Sequence, residues 1–143
     1  MTKWDERFLE LAELVSTWSR DPSTKCGAVI VRPDKTIASI GFNGFPMTMH
    51  DSKKAYSNRE EKYSRIVHAE VNALIFAKEN AKGYTLYTYP CIPCDRCVVL
   101  MIQSGIKRIV SIKPTKDMES RWGTMFIRTR KYCKECNVDL VEE

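Results

Sequence analysis

Two short stretches of the sequence decide the fold that we expect: residues 67–73, which read VHAEVNA, and residues 89–94, which read YPCIPC. Around them, helix-like and strand-like patterns alternate, which is typical of a largely parallel sheet covered by helices. Each stretch is predicted to begin a helix, and sites in open α/β sheets form at the carboxyl ends of the strands. We therefore expect side chains from the two stretches to meet at one edge of a sheet.

Apolar periodicity and turn residues give the remaining elements. Spacings of four and three predict one apolar helix face and place both of its tryptophans in the core: Trp4, Phe8, Leu11, Val15 and Trp18. Residues 27–31 and 36–41 are predicted to pair as an antiparallel hairpin. Helices at 68–80, 91–103 and 119–133 alternate with strands at 84–89, 106–112 and 138–141. The predicted fold is an α/β single domain over residues 1–143, a three-layer α/β/α sandwich around a five-stranded mixed sheet.

The stretch from residue 47 to residue 65 is polar and irregular. Connections of this length are usually functional or mobile. A short helix at 58–63 is predicted within it, with Asn58 as the N-cap.

Composition sets further bounds on the class of protein. With 143 residues, 43% hydrophobic and 29% charged, the chain has the composition of an ordinary globular domain. It has no apolar run of about 18 residues, and its charged start does not resemble a secretory signal, so we expect a cytoplasmic protein without membrane contact. Six cysteines without an export signal, four of them in CxxC pairs, favour metal binding or structural thiols over disulfides.

Positive charge is concentrated in the C-terminal third of the chain. The net charge is +5, and between residues 107 and 134 only Asp117 and Glu119 oppose nine basic residues: Lys107, Arg108, Lys113, Lys116, Arg121, Arg128, Arg130, Lys131 and Lys134. This bias indicates a partner that carries phosphate, whereas a solvated helix face explains any single one of these residues equally well.

One histidine and two cysteines form a candidate zinc site: His68, Cys91 and Cys94. Cys91 and Cys94 are three residues apart, so in a first helical turn both sulfur atoms would point to one face, where the helix N-terminus favours thiolates. Three protein ligands leave the fourth tetrahedral position for water, as in catalytic zinc sites. Glu70 is the predicted catalytic residue, which takes a proton from the activated water and passes it to the substrate.

Other ligand sets stay open as alternatives. Cys97 continues the spacing of three, but its position along the helix favours a buried thiol over a ligand. A four-cysteine zinc ribbon that adds Cys133 and Cys136 would leave His68 and Glu70 without a role. Cys26 is interpreted as a small core residue, and the loop histidine, His50, as a solvated side chain.

The two stretches resemble the cytidine deaminase superfamily, whose members share the HxE and PCxxC motifs. Three further segments resemble the deoxycytidylate deaminases within it: residues 21–28 (DPSTKCGA), 41–46 (GFNGFP) and 58–63 (NREEKY). One departure is Cys26, where such sequences usually carry valine. The resemblance covers nearly the whole chain.

The resemblance implies an enzyme that hydrolytically deaminates a small nucleotide with catalytic Zn²⁺. It implies substrate contacts from Asn43, Ala69, Lys25 and Arg20, with Lys113, Lys116 and Arg121 as further candidates for a 5′-phosphate. It also implies a regulatory nucleotide, dCTP as activator or dTTP as inhibitor with Mg²⁺, at Gly41, Phe42, Asn43 and Gly44. Members of this family are often homohexamers, so we expect a homo-oligomer.

Two other functions fit the metal motifs. A tRNA adenosine deaminase shares them and suits the basic flank, but usually lacks the polar insert before His68. We therefore expect a nucleotide rather than a nucleic acid as the partner. A zinc-stabilised binding module uses the same ligands but gives Glu70 no role.

Overall fold

A computed structural model describes all residues of the chain, 1–143, and contains one five-stranded sheet. The strands are β1 (Gly27–Val31), β2 (Ile37–Phe42), β3 (Thr85–Tyr89), β4 (Arg108–Ser111) and β5 (Asp139–Glu142), in the order β2-β1-β3-β4-β5. β1 runs antiparallel to both β2 and β3, while β3, β4 and β5 are parallel. The predicted hairpin and the predicted mixed sheet are confirmed.

Six helices connect and cover the strands. They are α1 (Lys3–Ser16), α2 (Lys53–Ser57), α3 (Arg59–Arg65), α4 (Ala69–Phe76), α5 (Asp95–Gln103) and α6 (Lys116–Glu135). The short helix predicted behind the Asn58 cap is α3, whereas α2 was not predicted. No helix is long and apolar enough to span a bilayer.

The core lies on both faces of the sheet, as the three-layer prediction requires. On one face α1 packs Phe8, Leu9 and Ala12 against apolar residues of β1, β3 and β4. On the other face a larger cluster joins the sheet to α4, α5 and α6; it includes Ala69, Ala73, Val98, Met101 and Cys133. The second cluster is the one from which the candidate site is built.

The prediction that Trp4 and Trp18 are core residues is wrong. Trp4 is 44% exposed and Trp18 is 50% exposed. The buried face of α1 passes through Leu9 and Ala12 instead, and the helix ends at Ser16, so Trp18 lies beyond it. Trp4 stacks on Phe8 from outside, at 5.6 Å between ring centroids.

The α1 face also buries a charge, Asp5. Its carboxylate accepts two hydrogen bonds from Arg108, at 2.7 and 2.9 Å, and one from the Tyr87 hydroxyl at 2.7 Å. Arg108 and these bonds hold the pKa of Asp5 well below its usual range. The carboxylate thereby ties α1 to β3 and β4.

Close packing of α4 on β2 depends on Gly41. A Cβ at this position would stand 2.4 Å from the Ala69 carbonyl oxygen and 2.5 Å from the Ala73 nitrogen. Glycine is therefore needed here for the approach of two backbones. This contact fixes the height of α4, and with it His68 and Glu70, above the sheet.

Candidate metal and catalytic site

His68 and Glu70 lie at the start of α4, as predicted. His68 is the N-cap residue and is solvent-exposed, whereas Glu70 in the first turn is 6% exposed. Thr88 of β3 donates a hydrogen bond from its Oγ1 to Glu70 Oε1 at 2.9 Å. Burial raises the pKa of the Glu70 carboxyl, which brings it toward the range of a proton carrier at neutral pH.

Thr88 is a site residue that the motifs do not contain. In strand β3 the side chains alternate between the two faces, so Thr88 shares a face with Leu86, which belongs to the cluster under α4. Thr88 could be identified from the sequence because it is a polar residue on that face, two positions before Pro90. Its hydroxyl fixes the orientation of the Glu70 carboxylate.

The cysteine stretch departs from the prediction at its helix. The helix predicted from Cys91 begins at Asp95, with Cys94 as its N-cap residue. Ile92 precedes a proline, which disfavours helical backbone there, so residues 91–93 form a loop. Cys91 and Cys94 therefore do not share a first helical turn.

Three metal-binding atoms lie together: those of His68, Cys94 and Cys97, all within 4.8 Å of one another. His68 Nδ1 lies 3.1 Å from Cys97 Sγ and 3.5 Å from Cys94 Sγ. The predicted ligand Cys91 lies outside this group, and Cys97 stands in it instead. Burial is the main cause that raises the pKa of the Cys91 thiol, and the charges of Glu70 and Cys94 add to it. Cys133, Cys136 and His50 do not join the group, so no zinc ribbon is formed.

The ionisation of these thiols suits a soft metal ion. The Cys97 thiol lowers the pKa of Cys94 by hydrogen bonding to its sulfur, and His68 adds to this effect. Burial raises the pKa of Cys91 to about 12, and the hydrogen bond to Cys94 raises that of Cys97. The Cys94 thiolate, the His68 imidazole and the Cys97 thiol are donor types that Zn²⁺ takes, so the residues present fit the metal.

Asn43 is placed inside the chain rather than at its surface. It is 5% exposed, and its Oδ1 accepts a hydrogen bond from the Cys26 backbone nitrogen at 2.8 Å. Its Nδ2 donates to the Thr24 carbonyl oxygen at 2.9 Å and to Asp21 Oδ2 at 3.3 Å. The carboxamide orders residues 21–26, which form one wall of a cavity described below.

The other residues implied by the resemblance occupy different environments. Lys25 is exposed and donates to the Ser19 carbonyl oxygen, while Arg20 lies 3.6 Å from Asp51 in an exposed ion pair. Ala69, the first residue of α4, is fully buried. In the segment implied to meet a regulatory nucleotide, Gly41 and Asn43 are buried, Phe42 is 38% exposed beside Trp18, and Gly44 is half-buried.

A polar cavity of about 480 Å³ opens between the first loop and the start of α6. It is lined by residues 22–25, by Tyr89 and Pro90 next to Cys91, and by Thr115, Asp117 and Arg121. Its volume is typical of sites for small ligands. Lys25 and Arg121, two of the predicted phosphate contacts, both line it.

The basic run is partly neutralised within the chain. All four of its arginines form ion pairs: Arg108 with Asp5 and Asp139, Arg121 with Asp117, Arg128 with Asp95, and Arg130 with Glu119 and Glu142. Its lysines form no ion pair. The run is therefore a weaker attraction for nucleic acid than its charge count indicates.

A second depression, about 730 Å³, is an apolar groove beside His68. Tyr63, Ile66, Val71, Val99 and Leu100 line it, together with His68 and Cys97. Apolar surface of this kind is typical of contact with another protein.

Comparison with known proteins agrees with this geometry. Residues 2–113 match the family described as the cytidine and deoxycytidylate deaminase zinc-binding region. An uncharacterised deaminase from the luxG 3′ region of Aliivibrio fischeri is 43% identical over 123 residues, which are 86% of this chain and 82% of that protein. Deoxycytidylate deaminase of Mus musculus is 35% identical over 114 residues, 76% of this chain but only 64% of that protein.

Solved structures give the same fold. The dCMP deaminase of cyanophage S-TIM5 superposes with a TM-score of 0.77 over the whole of both chains, at 24% identity. That phage enzyme has also been solved with dCMP and dUMP.

The sheet order, the helix layers and the donor set define a cytidine deaminase-like α/β protein. Because the family match covers most of the sequence, the chain belongs to the family of cytidine and deoxycytidylate deaminases.

Proposed function

We propose that this chain is a zinc-dependent deaminase that converts dCMP and water to dUMP and ammonia. The observation that carries the proposal is the Glu70 carboxylate, which is buried, oriented by Thr88 at 2.9 Å, and adjacent to the imidazole and thiol donors. A module that merely binds zinc would have no use for a buried carboxylate at this place, since burial of an unpaired charge is costly.

The donor residues would bind the metal, and Glu70 would transfer protons. His68, Cys94 and Cys97, whose donor atoms lie together, would hold the metal in place of the predicted set with Cys91. When bound, zinc supplies a Lewis acid that makes a water molecule nucleophilic at neutral pH. Glu70 accepts the proton of that water, passes it to the pyrimidine ring nitrogen, and assists the departure of ammonia by a second transfer.

The polar cavity supports a nucleotide as the substrate. Lys25 and Arg121 bring two positive charges to it, of which Arg121 is paired with Asp117 at 3.3 Å, and Thr115 caps the N-terminus of the 20-residue helix α6 beside them. A helix N-terminus and basic side chains together favour a phosphate. We propose that they hold the 5′-phosphate of dCMP, the ligand named for the S-TIM5 enzyme.

Regulation and assembly belong to the same proposal. Phe42 and Gly44, at the end of β2, are the accessible residues of the segment proposed to meet dCTP or dTTP with Mg²⁺. The apolar groove beside His68, together with exposed Ile75 and Phe76 on α4, offers a surface for a second copy in a homohexamer. The cytoplasmic location stays a prediction.

The test is ultraviolet-monitored deamination by the zinc-loaded protein with dCMP, CMP, deoxycytidine and tRNA side by side, with and without dCTP or dTTP in Mg²⁺. We expect dCMP to give the highest kcat/KM and deoxycytidine, which lacks the phosphate, to lose most of it. Neutralising variants Lys25→Met and Arg121→Met should raise KM for dCMP and leave deoxycytidine unaffected. Preference for tRNA would overturn the proposal in favour of a tRNA adenosine deaminase.

A further inference from the structure

A buried threonine of α6 contacts the loop that leads into the metal-binding cysteines. Thr129 is fully buried, and its Oγ1 donates a hydrogen bond to the Pro93 carbonyl oxygen at 2.8 Å. Pro93 directly precedes Cys94, the N-cap residue of α5, although it lies 36 positions away from Thr129 in the chain. Thr129 is not a metal donor, and proton transfer through Glu70 does not involve it. Its buried hydroxyl therefore needs a different explanation.

This hydrogen bond orients the peptide unit that carries Cys94. Pro93 is buried, and no backbone N–H donates to its carbonyl oxygen. A helical threonine often bonds its hydroxyl to a carbonyl of its own preceding turn, whereas Thr129 donates to the loop instead. Because a peptide unit is planar, fixing the Pro93 carbonyl also fixes the nitrogen and Cα of Cys94. The direction in which the Cys94 side chain leaves the backbone is thereby set from α6.

The neighbouring residue of α6 makes a second contact, on the other side of Cys94. Arg128 Nη1 lies 3.0 Å from Oδ2 of Asp95, the first residue of α5. The Arg128 side chain is 54% exposed, so this pair contributes less than a hydrogen bond in the dry interior. Adjacent residues of α6 thus hold the residues immediately before and after Cys94.

We propose that Thr129 is a positioning residue for the metal centre, whose hydroxyl holds the Pro93–Cys94 peptide and so keeps the Cys94 sulfur beside the other donors. The proposal rests on the proposed function, which makes zinc the metal. Loss of a partner that orients a metal ligand typically lowers metal affinity or activity by about 10- to 100-fold. Valine has the shape of threonine but cannot replace it here, because the buried Pro93 carbonyl would be left without a donor.

The test compares wild type with Thr129→Val and Thr129→Ala, which lack the hydroxyl, and with Thr129→Ser, which keeps it. Transfer of zinc to a chromogenic chelator gives the rate of metal release, and Co²⁺-loaded samples give the ligand-field spectrum of the site. We expect both hydroxyl-free variants to release zinc about 10- to 100-fold faster and to show shifted cobalt bands, whereas Thr129→Ser should restore most of the loss. Arg128→Met should change the release rate by less than about fivefold, because its ion pair is exposed.

Two controls separate positioning from a general loss of stability. Cys133→Ala removes buried volume one turn further along the same face of α6, so it should lower Tm and leave zinc release and the cobalt spectrum unchanged. Thr124→Val alters an exposed threonine of the same helix and should change none of these.

Wild-type zinc release and cobalt bands in a folded hydroxyl-free variant would overturn the proposal. It would equally be overturned if Cys133→Ala released zinc as fast as Thr129→Val, or if Thr129→Ser gave no rescue. Far-UV circular dichroism checks that each variant is folded. These readouts use no substrate, so failure of wild type to deaminate dCMP would count against the proposed function and not against the role of Thr129.

Discussion

Asp5 shows how one residue couples a helix to the sheet. Its carboxylate is fully buried, and Arg108 and Tyr87 supply three hydrogen bonds from two different strands. Removing one partner of such a pair is strongly destabilising, because the other charge is left uncompensated. The same Arg108 also meets Asp139, which is 66% exposed, at 3.2 Å, and a pair in solvent contributes little.

Asp5→Asn should therefore lower the free energy of unfolding by about 3 kcal/mol at pH 7, whereas Asp139→Asn should change it by less than about 1 kcal/mol. The folded-state pKa of Asp5 is depressed, so its contribution is present above its unfolded pKa of about 3.9 and is lost as the pH falls below that value. The difference between wild type and Asp5→Asn should shrink below pH 4, measured by urea unfolding. Equal destabilisation at pH 3 and pH 7 would contradict this assignment.

Sequence predicts residues well when their chemistry is carried by a short motif, as for His68, Glu70 and Cys94. It fails for contacts that depend on the rest of the fold. The spacing that assigned Trp4 and Trp18 to the core contained no information about the partner strands, which select Leu9, Ala12 and Asp5. Thr88 likewise becomes a site residue only because β3 brings it to α4, whereas Cys97 closes a second PCxxC stretch, residues 93–97, that the sequence itself contains.

At the scale of elements, the polar insert is held to the first loop by one buried ion pair. Lys62 of α3 lies 2.9 Å from Asp21, and the two side chains are 12% and 3% exposed. Asp21 also accepts from Asn43 and from the Ser23 backbone nitrogen. The insert thus supports residues 21–26, the wall of the polar cavity that contains Lys25.

Lys62→Met should release the insert without unfolding the sheet. We expect amide hydrogen exchange in residues 53–65 to accelerate by at least about tenfold, equivalent to about 1.4 kcal/mol. KM for dCMP should rise more than kcat falls, and Lys62→Arg should restore much of the loss. Lys53→Met, at an exposed position of α2, is the control. Unchanged exchange and KM in Lys62→Met would show that the ion pair does not position the cavity wall.

Element types were predictable where apolar patterns are long, and their boundaries were not. The three βα units after residue 67 were found with shifts of a few residues. However, α5 begins four residues later than predicted because Pro90 and Pro93 keep residues 90–93 out of the helix. The α2 helix was not predicted because its five residues contain only one buried side chain, Tyr56, and therefore show no apolar periodicity.

At the scale of the molecule, two separate core clusters stabilise the fold, one under α1 and one under α4. The cluster under α1 contains no metal donor, whereas the cluster under α4 contains Cys97 and borders on Cys94. The sheet is common to both. Stability should therefore depend on the metal only in part, unlike that of small zinc fingers, which unfold without it.

Removal of zinc with a chelator should lower Tm by about 10 °C, which corresponds to about 4 kcal/mol when free zinc had been 1,000-fold above Kd. Far-UV circular dichroism at 25 °C should keep its folded form, and zinc should restore both Tm and activity. Collapse of the spectrum on chelation would contradict a core that is independent of the metal.

The most direct test of the account is Glu70→Gln, a change that keeps the side-chain volume and removes the proton acceptor. With dCMP as substrate, kcat should fall by about 10²- to 10⁴-fold while bound zinc stays at the wild-type level. Glu60→Gln, on the exposed surface of α3, should leave both unchanged. Turnover by Glu70→Gln at the wild-type rate, with zinc bound, would contradict the central role of the buried carboxylate.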